Sequence, residues 1–166
     1  PGQHDLAGGG LAVGEQGGRG PRGFGAAKKV KGRKRHIATD TSGRLIEARI
    51  TPANVQDSHG AVPLLKALAA RFPGLRHAYA DRAYRGNKLL DAVADPRPWT
   101  IEIITRSQRV GHFVQEPRRW VVERTFAWLG RNRRLAKDYE ASQQSQEAWW
   151  NLASVKTLTR QIARTQ

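Results

Sequence analysis

From residue 28 onward the chain switches repeatedly between two hydrophobic periods. The runs KKVKGRKRHIATD and LIEARIT set apolar among polar residues at strand-like spacing, and Thr41-Ser42-Gly43-Arg44 between them is turn-prone, so a β-hairpin is predicted. In TPANVQDSHGAVPLLKALAARF the spacing lengthens. Leu64, Leu65, Leu68 and Phe72 then share one stripe of a helix running to about Phe72. Asp57 or Ser58 would cap it, while Pro63 suits a first turn and argues for a later start. LRHAYAD reads as a buried strand ending at Asp81 after the Pro73-Gly74 turn, YRGNKLLDAVAD as a short helix, WTIEIIT as a strand and RSQRVGHFVQE as a loop.

Pro117 opens the next helix, with Glu116 just ahead of it. At about 100° per residue, Val122, Phe126 and Leu129 form its buried stripe, and Arg119, Ala127, Gly130 and Arg134 share the face of Glu123. A last helix, roughly 146–164, lines up Trp149, Leu152, Val155, Leu158 and Ile162 on one side. The order of elements describes an α/β domain with helices packed on a mixed sheet. Residues 1–27, rich in glycine and poor in large apolar side chains, read as a flexible segment, which leaves 28–166 as the domain.

Charge narrows the picture. The 166 residues carry 29 lysines and arginines against 14 acids, a formal charge of +15. A polyanionic partner follows from this. No apolar run is long enough to span a membrane and no signal-peptide pattern opens the chain, so a cytoplasmic protein is expected. Without cysteine, any metal must be held by carboxylates or histidines, which favours magnesium or manganese. The absence of methionine, even at position 1, suggests a fragment.

Three places bear on chemistry. The run from Arg19 to His36 has eight lysines and arginines and no acid. It reads as a phosphate-tracking surface through Lys28, Lys29, Lys31, Arg33, Lys34 and Arg35, although lysines also keep an edge strand from aggregating. Asp81 at a strand end is well placed for metal work or, equally, for capping a following helix. Glu123 lies beside small residues that leave room for a ligand, or else pairs with Arg119 or Arg124. If the helix of Glu123 crosses the end of the Asp81 strand, the two carboxylates converge, and with DNA as the polyanion this suggests two-metal phosphoryl transfer. Trp120, Trp128, Trp149 and Trp150 at helical spacing are better read as core than as stacking platforms.

Together GRKRHIATDTSGRL, YADRAY and RRWVVERTFAWLGRNRRLAKDYE resemble the DDE transposases of bacterial insertion sequences, in the IS family 5 group of the wider IS4-like domain. The resemblance runs from about Gly17 to the C-terminus. It implies an RNase H-like fold in which two aspartates and one glutamate bind magnesium or manganese to cut and rejoin element ends. Asp81, Ala83 and Tyr84 match its second-aspartate motif, and Arg119 and Glu123 its arginine and glutamate. The partners it implies are terminal inverted repeats and target DNA, with a homodimer on DNA as one assembly, and Arg131, Arg133 and Arg134 join the phosphate contacts.

The departures lie upstream and around the glutamate. Where the family's first strand carries its first aspartate, this chain reads GGGLAV. Asp40 belongs to the hairpin, which would supply the second and third strands of the sheet, and Asp5 lies in a segment that does not read as a strand. The family's tyrosine falls at Glu116 and its downstream lysine at Gly130, with Arg131 adjacent. The expectation is a truncated or decayed copy whose first strand is lost. A metal-dependent transposase and a non-catalytic DNA-binding remnant stay open, with an RNA-binding protein ranked last.

Overall fold

The computed structural model describes residues 5–14, 20–26, 29–85, 89, 91, 100–104 and 117–165. Six strands form one mixed sheet: β1 (Asp5–Gly14), β2 (Gly23–Gly25), β3 (Val30–Thr39), β4 (Leu45–Pro52), β5 (His77–Asp81) and β6 (Thr100–Ile104). Three helices are described, α1 (Asp57–Arg71), α2 (Pro117–Gly130) and α3 (Gln143–Thr165).

The expected hairpin is β3–β4, antiparallel with Arg33 opposite Pro52 and a register shift between Ala38 and Thr39. Its turn closes on Asp40, whose Oδ1 accepts from the N–H groups of Ser42 and Arg44 at 2.9 and 2.8 Å. Gly43 sits at φ +84°, where a side chain would be strained. β2 takes over the outer edge of β3 beyond β4, pairing Gly23 with Gly32.

The expected loss of the first strand is corrected. Asp5–Gly14, read as flexible, is the central strand β1, antiparallel to β3 and parallel to β5. Glycine offers no hydrophobic alternation to read, yet its backbone N–H and C=O groups pair as well as any when flanking strands stand ready on both sides. β6 continues the sheet parallel to β5. The order β4-β3-β1-β5-β6 thus begins with an antiparallel set and ends with parallel strands.

Successive residues of β3 face opposite sides. Ile37 joins Ala48 and Ile50 in a core with Val122, Leu129, Leu135 and Trp150 of the α2 and α3 side, while Ala38 packs with Leu64, Leu68, Leu75 and Ala78 on the α1 side. α1 begins at Asp57, with Gln56 at its N-cap making no side-chain cap bond, and Pro63 lies inside it. This corrects the expected cap and late start. Asp57 instead turns to Lys34 Nζ, 3.1 Å away.

α3 also departs from expectation. Trp150 is fully buried with Ala153 and Ser154, whereas Trp149, Leu152, Val155 and Ile162 stand exposed. Both sides of this helix carry a tryptophan and other apolar residues, and the side packed into the core is the one where Trp150 is flanked by the small Ala153 and Ser154. The short helix expected after Tyr84 and the loop expected before Pro117 fall mostly outside the described residues.

Candidate active site and nucleic-acid interface

Asp81 ends β5. Its Oδ1 accepts from the N–H of Arg82 at 2.6 Å and caps the 3-10 turn Arg82–Tyr84. That turn delivers Tyr84 into the core, where its hydroxyl lies 3.2 Å from Nδ1 of His36, and Nε2 of His36 lies 2.9 Å from Oγ1 of Thr51. Burial pushes the Tyr84 hydroxyl well above its ordinary range, helped by the charges of Asp57 and Asp81. Burial likewise pushes the His36 imidazole down to about 4, with Asp57 opposing and Lys34 assisting. His36, Thr51 and Tyr84 thus fasten the Asp81 turn to the hairpin. The sequence offered no signal for this beyond polar residues on alternating strand positions.

α2 packs against β1, β3 and β5. Its buried side is Val121, Val122, Thr125 and Leu129, and Glu123 is exposed. Thr125 Oγ1 donates to the carbonyl of Gly43 at 2.8 Å, and Arg124 Nη2 to that of Ser42 at 2.9 Å. The Arg124 guanidinium also stacks over Trp120 and Trp128, 4.3 and 4.7 Å from their ring centroids. These bonds fix how the helix of Glu123 crosses the sheet.

The β1–β5 register locates a third position. Gly8 pairs with Ala80, so one step on Gly9 runs beside Asp81, while Asp5 pairs with His77 at the opposite end of β5. Among the described residues no group of three histidines and acids is arranged to hold a metal. Asp81 and Glu123 are the two acids that the resemblance marks, and Gly9, which runs beside Asp81, has no side chain.

The basic run meets a different fate from that expected. Arg33 and Arg35 are corrected from phosphate contacts to interior residues. Arg33 is fully buried and bonds Asp138 and the carbonyls of Pro21, Glu140, Ala141 and Ser142. Arg35 reaches the carbonyl of Lys137 and stacks on Trp150, and burial pushes it down to about 10. Loop carbonyls and Asp138, distant in sequence, supply the acceptors that let guanidinium groups leave water. Lys34 is engaged too, with the carbonyl of Val55 at 2.7 Å and with Asp57. Lys29 and Lys31 are exposed, and Lys28 lies outside the described residues.

Of the C-terminal arginines, Arg131 and Arg133 are exposed. Arg134 pairs with Glu140 and lies near the rings of Tyr139 and Trp149. Burial alone would raise the Glu140 carboxyl, but hydrogen bonds from Arg134 and Ser145 outweigh it and hold it below its usual range. Arg119 lies in the first turns of α2, on the same helix as Glu123.

The sheet order and helix placement are those of an RNase H-like fold. The structure is similar to the crystal structure of the catalytic core domain of BIV integrase, with a TM-score of 0.56 and 19% sequence identity over 93% of this chain and 82% of that one. In sequence, residues 9–158 match the model of the transposase DDE domain, and the chain belongs to that family. A similar protein is the putative transposase for insertion sequence element IS402 of Burkholderia cepacia, 37% identical over 118 residues, which are 66% of this chain and 54% of that protein. The chain spans about half the length of that curated relative. No helix among the described residues is long and apolar enough to cross a membrane.

Proposed function

We propose that this chain is the catalytic-domain part of an insertion-sequence transposase of the IS family 5 group, binding element-end and target DNA in the cytoplasm. Asp81 and Glu123 are its two remaining site carboxylates, and Arg119 is the residue that positions Glu123. The observation that carries this reading is the packing of α2 across β1 and β5, which brings the helix of Glu123 over the strand that ends in Asp81.

Members of the family use a divalent metal, magnesium or manganese on this reading. The donor set here does not fit a complete centre, because Gly9 runs where a third carboxylate would stand beside Asp81. No strand-cleavage step is therefore assigned to the chain as it is. What its own residues supply is DNA binding through exposed cations and a framework for two carboxylates, braced by Tyr84 and His36.

Gly9→Asp is the test. Manganese is expected to raise the melting temperature of Gly9→Asp, and adding Asp81→Ala or Glu123→Ala to it should abolish the shift. A Gly9→Asp protein that folds but gives no manganese response would overturn the carboxylate assignment. Metal-independent, salt-sensitive DNA binding by every variant would leave the non-catalytic DNA-binding remnant as the function.

A further inference from the structure

Six arginines and lysines of the described chain are paired with acids. Arg22 and Arg33 are held by Asp138, Lys34 by Asp57, Arg49 and Arg71 by Glu47, and Arg134 by Glu140. One group is not. Between the end of α2 and the second half of α3 lies an open cleft of about 260 Å³ whose walls include Arg131, Lys156, Arg160 and Arg164, together with Trp128 and Asn132. All four cations are exposed. Among the described residues no acid lines the cleft and no carboxylate pairs with any of the four. Lys156 meets only the Asn132 side-chain oxygen, at 3.4 Å.

This arrangement costs stability in the isolated protein. Lys156, Arg160 and Arg164 follow one another at four-residue spacing on α3, where like charges repel. The helix dipole accounts for Arg164, which is in the last turn, but the effect fades within that turn and does not explain Lys156, or Arg131 on the neighbouring element. A bound polyanion accounts for all four. A cleft of about 260 Å³ has room for several phosphate oxygens, and the Trp128 ring would offer an apolar wall to a sugar or base. Neither Asp81 nor Glu123 lines it.

We propose that the α2–α3 cleft is a phosphodiester-binding site that grips a DNA strand apart from the candidate carboxylate site. This rests on the reading of the chain as a DNA-acting transposase domain and adds an anchoring surface to it. The sequence signal was the Lys156, Arg160, Arg164 spacing, overshadowed by the apolar stripe of the same helix.

The experiment is fluorescence anisotropy with labelled duplex DNA on the full chain, titrated between about 50 and 200 mM salt. Wild type is compared with Arg160→Gln/Arg164→Gln, whose fold is verified by its melting temperature, and with a control, Arg71→Gln, on α1. The double variant is expected to bind more weakly and to lower the slope of log affinity against log salt by about 2, near 0.9 per lost phosphate contact. The control should keep the wild-type slope. If wild type binds DNA and the folded double variant keeps both affinity and slope, the cleft assignment falls while the transposase reading stands. If wild type fails to bind DNA even at low salt, both fall. A double variant that loses binding to an RNA duplex but not to DNA would overturn DNA as the occupant.

Discussion

Nη1 of Arg33 lies 3.1 Å from Oδ1 of Asp138, with neither side chain exposed to solvent. The other carboxylate oxygen takes Nε of Arg22 at 3.1 Å. One acid from the loop before α3 thus pairs with two arginines from the N-terminal part of the chain.

Removing that acid should be far worse than removing a partner. Asp138→Ala leaves two guanidinium groups without their counter-charge, and breaking a buried pair in this way costs about 3–5 kcal/mol. Arg33→Met, which replaces charge by apolar volume, should cost less. Urea unfolding of both variants measures the difference, and equal midpoints would show that the pair contributes little.

The buried imidazole of His36 makes stability depend on pH. Its pKa is about 4 in the folded protein, against about 6.5 when unfolded. Between these values the unfolded chain takes up a proton that the folded chain refuses, so stability falls as pH drops from about 6.5 to about 4 and loses nothing more on this account below that. The loss is on the order of 3 kcal/mol. The groups around His36 are Lys34, Thr51, Asp57 and Tyr84. Urea midpoints across this range should fall less steeply for His36→Gln than for wild type, and parallel curves would assign the loss to other groups.

Gly60 is held glycine by the same ring. A Cβ there would come within 2.3 Å of His36 Nε2. Both elements are packed, so Gly60→Ala should destabilise by about 1–3 kcal/mol despite the better helix propensity of alanine. Combining it with His36→Ser should recover part of the loss in thermal melts. A neutral Gly60→Ala would mean that α1 shifts freely away from β3.

Thr125 ties α2 to the hairpin turn. Thr125→Val keeps the shape but removes the donor to the Gly43 carbonyl, which should cost about 1–3 kcal/mol. Faster amide exchange at residues 42–44 is the expected local sign. Unchanged exchange there would show that Asp40 and Arg124 suffice to hold the turn.

Much of the framework was legible in the sequence. The β3–β4 hairpin, β5, β6 and the Pro117 start of α2 announce themselves through spacing, turn residues and proline, and the buried stripe Val122, Phe126, Leu129 follows from helical geometry. What failed did so for identifiable reasons. β1 is built on Gly8, Gly9 and Gly10, which carry no pattern, and its existence depends on β3 and β5. The burial of Arg33 and Arg35 depends on an aspartate more than a hundred residues away, with a separation of 105 for Arg33. α3 offered two apolar sides, and only packing could choose between them. The candidate carboxylates Asp81 and Glu123 rest on their motifs, whereas the residue beside Asp81 could be named only from the strand register.

The Asp138 clamp sets an order of events during synthesis. Arg22 and Arg33 leave the ribosome 116 and 105 residues ahead of the acid that neutralises them. Until the loop before α3 has emerged, the inward side of β3 carries uncompensated charge and cannot close over a core. The N-terminal hairpin is therefore made first but completed last. A chain stopped short of Asp138 would have all six described strands and the α1-side core, yet two arginines with no acid to meet them on the other face.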